Sequence, residues 1–398
     1  MALLPSLVLL ATQAQVIHSV NEFDKAVTDF KNSQFSVGAR GNADLSRAIV
    51  AYVSQHKGDR GMLEASGTKI AFGINADPVL SSEVRLVPGG SKINLTRVGD
   101  RTYVGVAELK YGDAFTAEFW LGGNKVGDDR RVEVYKIPEE MRVNESVAKG
   151  EVRPMPKQVS KIYPDTQSDW WVYKPAKPEP EGGYGLIVFQ DGAGPKGYGA
   201  VCLDNMIAKG DIPPCVAIFI SPSVGVSDKK SYRSRQYDVL SDEYVRYFLD
   251  EYELVGASAL GVKISQDPAK RCIAGVSSGG ICAWTAAWER PDKFGLVLSW
   301  VGSFTNIASG PTNKEGGHNY PALIRKVDRK PIRAFLQDGD QDLDNIHGNW
   351  FLSCEQMVAA LKFNGYDYVF TPGHGFHSDV QGRSEMPDAL RWLFSGKK

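Results

Sequence analysis

Near the middle of the chain, Gly275-Val276-Ser277-Ser278-Gly279-Gly280 follows a short apolar run, Cys272-Ile273-Ala274, and precedes a helix-like stretch over residues 281–290. This reads as a strand, a sharp turn and a helix, with Ser277 at the apex. The glycines of the G-x-S-x-G pattern flank the turn because it is crowded. Only a hydrogen side chain fits between the strand and the helix there. The pattern occurs once in the chain. By itself it also describes a chance Gly/Ser turn, so the rest of the chain has to decide.

The surrounding residues carry the same grammar. After Lys161, apolar runs of strand length at 186–189, 216–220, 272–276, 296–301, 332–336 and 368–370 alternate with helical stretches near 201–209, 241–253, 278–289, 350–363 and 387–394. Continuous apolar strands between helices predict a parallel sheet covered on both faces. With the elbow, this is the α/β-hydrolase pattern. Earlier in the chain the period differs. Residues 15–60 repeat at helical spacing, with Phe23, Val27 and Phe30 on one face. Residues 61–137 hold short β-rich runs separated by Gly89-Gly90, Gly99-Asp100, Gly112-Asp113 and Gly122-Gly123-Asn124. Five or more such runs predict a β-sandwich. The polar, Pro-containing stretch 138–160 reads as a linker, and 161–398 as the α/β-hydrolase domain.

A chain of 398 residues accommodates two domains. Its net charge of −1 argues against a basic nucleic-acid surface, and no run past the first residues is long and apolar enough to span a bilayer. Residues 1–14, apolar and then small, read as a signal peptide without a basic start. This predicts a secreted or periplasmic protein, with a cytoplasmic one the alternative. The five cysteines (Cys202, Cys215, Cys272, Cys282 and Cys354) form no C-x-x-C pair. They read as buried small side chains, with one or two bridges compatible with export.

A serine hydroxyl is a weak nucleophile at neutral pH. It needs a base, and the base needs an orienting group. In this fold the order along the chain is Ser, acid, His. Four histidines follow Ser277: His318, His347, His374 and His377. Those on the loop after the last strand, His374 and His377, hold the right place, and His377 lies further from the strand. The acid belongs on the loop after the preceding strand, where Asp338, Asp340, Asp342 and Asp344 crowd together. Asp342 is the choice, although spacing alone does not separate it from Asp338 or Asp340. A calcium loop would need Gly and Glu where Leu343 and Asn349 stand. No metal and no cofactor are expected. Donors for an oxyanion are expected at Ser278 and at the Gly-rich loop with Asp191 and Gly192. Residues 192–197 also match G-x-G-x-x-G, a weak dinucleotide signal with Pro195 inside it.

Five segments together resemble the enterochelin-esterase-like serine esterases, a group overlapping carbohydrate esterase family one with its feruloyl and acetyl xylan esterases. They are Phe189-Gln190-Asp191-Gly192, Arg233-Ser234-Arg235-Gln236-Tyr237-Asp238, the elbow, Leu336-Gln337-Asp338-Gly339 running on to Asp342-Leu343, and Gly375-Phe376-His377-Ser378. The resemblance runs from about Ser160 to the C-terminus. It implies a catalytic Ser277, Asp342 and His377, which favours Asp342 over its neighbours. The N-terminal β region loosely resembles Ig-like or glycan-binding modules, although aromatics such as Tyr103 and Trp120 are more often core. The implied substrate is a carbohydrate-linked feruloyl or acetyl ester, or another aromatic acid ester. Arg233, Arg235, His318 and Trp350 are the candidates for lining its pocket. The alternatives are a siderophore esterase of the enterochelin type and a non-catalytic glycan-binding protein that kept the fold.

Overall fold

The elbow strand, Arg271–Val276, lies inside an eight-stranded sheet. The strand order is Asp367–Gly373, Arg333–Gly339, Leu296–Trp300, Arg271–Val276, Gly185–Gln190, Cys215–Ile220, Trp170–Lys174, Glu151–Pro154. The first six are parallel; the last two pair antiparallel with their neighbours. This is a computed structural model describing residues 16–33, 39–56 and 62–396. The segment 1–14 lies outside the described residues. The chain divides into two units, Met1–Val134 and Tyr135–Lys398.

In the second unit, Gly185–Gln190 and Cys215–Ile220 are buried at every position, as strands covered by helices on both faces must be. Alternation sends Leu186, Val188, Ile273 and Leu336 to one face, against Trp284 and Met357. Ile187, Phe189, Ala274 and Phe335 point to the other, against Leu203 and Leu390. The chain leaves Gly185–Gln190 for Cys215–Ile220 on one side, then returns to Arg271–Val276 on the other. That reversal opens a crevice at the C-terminal ends of two adjacent strands. Asp191 and Ser277 stand at its two lips.

Two expectations need correction. The stretch 138–160 is not only a linker: Glu151–Pro154 pairs with Trp170–Lys174 and forms the edge of the sheet. An edge strand with charged residues and a terminal proline carries almost no strand signal. The last helix is Val380–Phe394, not 387–394, and Pro387 lies inside it. A proline reads as a helix start because it suits the first turn, so the preceding turns were masked.

In the first unit, one antiparallel sheet has the order Met62–Ser66, Lys69–Asn75, Thr102–Glu108, Thr96–Val98, and another the order Lys92–Asn94, Ser82–Val87, Ala114–Leu121, Asn124–Glu133. Ile70, Phe72 and Tyr103 of the first share a core with Val84, Leu86, Ala117 and Phe119 of the second. Tyr103 is thus core, and Trp120 is covered by the Arg85 guanidinium, 3.7 Å from its ring centroid. Helices Val20–Ser33 and Ala39–Gln55 set Phe23, Val27, Phe30, Ile49 and Tyr52 against Ala71 and Val104 on the other face of the first sheet.

Candidate active site

Ser277 sits between the strand Arg271–Val276 and the helix Ser278–Glu289, with φ 62° and ψ −124°. The close packing explains the glycines. A Cβ on Gly275 would lie 2.2 Å from the Gly279 carbonyl oxygen, and one on Gly279 would press on Gln190 and Asp191 at 3.0 Å. Two neighbouring strand ends are bent in the same way: Asp191 has φ 51° and Val301 has φ 42°. For a β-branched residue this is a strongly disfavoured conformation. Strained residues of this kind cluster where surrounding structure holds a functional geometry.

A row of hydrogen bonds leads away from Ser277. Its Oγ is 2.8 Å from Nε2 of His377, and Nδ1 of His377 is 2.6 Å from Oδ1 of Asp342. The histidine comes from the loop after Asp367–Gly373, and the aspartate from the loop after Arg333–Gly339. The Asp342 side chain is fully buried and that of His377 is 20% exposed. The same Asp342 oxygen accepts the Leu343 amide. Ser277, half-buried, is the exposed end of the row.

Two further side chains brace this row. Ser303 Oγ lies 3.2 Å from Ser277 Oγ and accepts Nε1–H of Trp350 at 3.1 Å. The Trp350 ring meets His377 edge-on, with centroids 5.7 Å apart. Trp350 is buried, so it backs the histidine and does not face a substrate as expected. Ser303 went unrecognised. Its only signal is a Gly302-Ser303 pair just past an apolar strand, next to the elbow in the sheet.

The remaining predicted residues divide. The Ser278 amide opens a helix, where the first N–H groups have no intrahelical acceptor. Asp191 stands across the crevice, and its amide donates to the Tyr237 hydroxyl at 3.3 Å, so it is corrected as an oxyanion donor. Gly192 is corrected as an oxyanion donor, because its amide donates to the Ile220 carbonyl at 3.0 Å. Its glycine is needed for another reason: a Cβ there would lie 2.3 Å from the Ile220 nitrogen. Arg233 is corrected as a pocket residue. It donates to both Asp191 oxygens at 2.8 Å and to the Val276 carbonyl at 3.2 Å, tying the two lips of the crevice together. Arg235 pairs with Glu243 and lies over the Tyr163 ring, which also takes it from the pocket. His318 is exposed and lines an open cleft of about 330 Å³ with Phe304, Arg325, Ser353 and Gln356.

His374 is a surface residue paired with Asp340 at 2.8 Å. A second, mostly apolar pocket of about 230 Å³ lies beside the elbow, walled by Phe189, Pro195, Tyr198, Val276, Leu298 and Trp300. All five cysteines are free and buried. Among the described residues, no group of three His, Cys, Asp or Glu side chains is placed to hold a metal ion, and no helix is long and apolar enough to cross a membrane.

The sequence matches the Esterase family model, described as "Putative esterase", over residues 164–393. Over 207 residues it is 27% identical to an iron(III) enterobactin esterase of Dickeya dadantii (strain 3937), an alignment covering 49% of this chain and 43% of that protein. The chain therefore spans less than half the length of that curated relative. Among solved structures, the enterobactin esterase of Shigella flexneri overlays with a TM-score of 0.61 at 14% identity, covering 87% of this chain and 98% of the other. The ferric enterobactin esterase of Salmonella typhimurium overlays with a TM-score of 0.59 at 14% identity, covering 82% and 93%. At these identities the overlays speak for the fold alone.

Proposed function

The chain belongs to the Esterase family, and on that premise we propose that it is a carboxylic-ester hydrolase working through an acyl-enzyme on Ser277. The carrying observation is the unbroken row from Ser277 Oγ through His377 to the buried Asp342. In this reading Nε2 of His377 takes the serine proton as Oγ attacks the ester carbonyl. It returns that proton to the departing alcohol, then repeats both steps with water. Asp342 keeps the Nδ1–H tautomer and stabilises the imidazolium. The negative oxygen of the tetrahedral intermediate is met by the Ser278 amide at a helix N-terminus.

The substrate is proposed at two levels. A carbohydrate-linked feruloyl or acetyl ester is the first reading, in keeping with the signal peptide and the Ig-like β-sandwich expected from the sequence. A siderophore ester is the second. It is favoured by the 27% identity to a protein named for iron(III) enterobactin.

One assay addresses both levels. Methyl ferulate, acetylated xylan and a catecholate siderophore lactone are offered in parallel, with Ser277→Ala as control. Hydrolysis of one class lost in Ser277→Ala is the expected result. Undiminished turnover in Ser277→Ala would overturn the acyl-enzyme reading.

A further inference from the structure

The serine mechanism uses one carboxyl from the loop at 338–344, yet two are buried there. Asp338, at the end of the strand Arg333–Gly339, has no exposed surface. Its side chain lies against that of Asp342. The partners of each oxygen can be assigned. Asp338 Oδ1 accepts the Gly339 amide at 2.8 Å. Asp342 Oδ1 accepts from His377 and from the Leu343 amide. Asp338 Oδ2 and Asp342 Oδ2 are both buried, and neither has a hydrogen-bond donor among the described residues.

Two ionised carboxylates cannot satisfy one another, since neither has a hydrogen to give. A buried acceptor left without a donor is costly, and two adjacent negative charges in a water-free site more so. One shared proton removes both penalties. We propose that Asp338 is a neutral carboxylic acid whose O–H donates to Oδ2 of Asp342, making Asp338 a positioning residue for the Asp342–His377 pair. It fixes the Asp342 carboxylate so that Oδ1 faces the imidazole. It also keeps the charge of the two acids at one negative unit, matched to one imidazolium.

The proton belongs on Asp338 because Asp342 has the better use for its charge. Asp342 already accepts two N–H donors, one of them on the ring that becomes cationic. Burial, and then the charge of Asp342, push the Asp338 carboxyl well above the usual carboxylate range. The other titratable side chain against it is the Cys354 thiol from the helix Trp350–Phe363. Burial pushes that thiol up as well, so it stays neutral.

The inference rests on the acyl-enzyme reading, so the test starts with Ser277→Ala. If that variant retains turnover, the reading itself fails, whatever Asp338 does. With Ser277→Ala inactive, Asp338→Leu and Asp338→Asn are compared by kcat, KM and the pH profile of kcat/KM on a short aryl ester. Leu leaves Asp342 Oδ2 without a donor, and kcat falls about 10-fold or more at nearly constant KM. Asn supplies an N–H donor without changing the charge, so it restores most of that loss. The acid limb of its profile superimposes on that of the wild type. Were Asp338 ionised, Asn would remove a negative charge near the imidazolium and move this limb down by about half a pH unit or more. That shift, or an Asp338→Leu enzyme with wild-type kcat, would overturn the proposal. If Asp338→Leu does not fold, the acid limb of Asp338→Asn still decides.

Discussion

Arg233 holds Asp191 in a two-pronged ion pair, with Nε and Nη2 each 2.8 Å from a carboxylate oxygen, and the same Nη2 reaches the Val276 carbonyl. The guanidinium thus spans the crevice from the loop after one strand to the residue before Ser277. It holds Asp191 at φ 51°, which costs energy wherever nothing enforces it. Cutting the clamp should loosen both the Asp191 loop and the backbone that leads into Ser277. Arg233→Gln is expected to lower kcat by about 10- to 100-fold, the order seen when an oxyanion contact is lost, with KM changed far less. Lysine should not restore it, because a point charge cannot reproduce the planar fork. Steady-state kinetics on an aryl ester check this, and a pure KM effect would mean that Arg233 binds substrate after all.

Two His–Asp pairs sit close together in sequence and differ in burial. His377–Asp342 is enclosed; His374–Asp340 is exposed, at 69% and 44%. Asp342→Asn should reduce kcat by roughly 10⁴-fold by stabilising the wrong tautomer of His377. Asp340→Asn and His374→Ala should stay within about twofold, as surface ion pairs contribute little. Comparable losses in both sets would contradict the division of roles.

Legibility of this site followed burial and chain order. The elbow could be read because its turn excludes side chains at Gly275 and Gly279, and steric demands of that kind are written as glycines. Asp342 could not be separated by spacing from Asp338 and Asp340. What distinguishes the three is the direction each side chain takes from one loop, which is set by packing. Arg233 and Arg235 looked like pocket residues because charge is visible in a sequence and its partner is not. Asp191 lies 42 positions from Arg233. The strand Glu151–Pro154 was hidden for a different reason: it is mostly exposed and gains its place from the backbone of Trp170–Lys174.

The run Gly192 to Gly197 offers a test of packing alone. Gly192 faces backbone at 2.3 Å, whereas a Cβ on Gly197 meets nothing within 4 Å. Gly197 is an exposed position in the helix Pro195–Lys209. Gly197→Ala should therefore stabilise the protein by about 0.5–1 kcal/mol through helix propensity and unfolded-state entropy. Gly192→Ala should cost on the order of 2 kcal/mol or prevent folding. Urea melts of the two variants decide it. A pair of equal effects would show that the run is held by something other than this contact.

Asp238 closes the motif that begins at Arg233, and it is 2% exposed. The hydroxyls of Ser278 and Ser234 lie against it, with Arg233 and Asp191 nearby. Burial dominates, and its carboxyl is pushed up from 3.8 to about 6. In the unfolded chain the group ionises near 4, about its ordinary value. Between roughly pH 4 and 6 the folded protein therefore holds a proton that the unfolded chain has released, so folding is favoured at the acid end. That stability is fully present below about pH 4 and lost as pH rises through about 6, after which the buried charge is a constant burden. Asp238→Asn has no proton to lose. Its stability relative to wild type should improve on going from pH 4 to pH 7 by an amount on the order of 2–3 kcal/mol, from about two pKa units at 1.36 kcal/mol each. Whatever the amide changes in its contacts with Ser278 and Ser234 is the same at both pH values and cancels in that difference. Denaturant melts of the two proteins at pH 4, 5, 6 and 7 measure it directly. Parallel curves across that range would mean that Asp238 is already ionised at pH 4 in the native state, compensated by Arg233 more fully than its burial suggests.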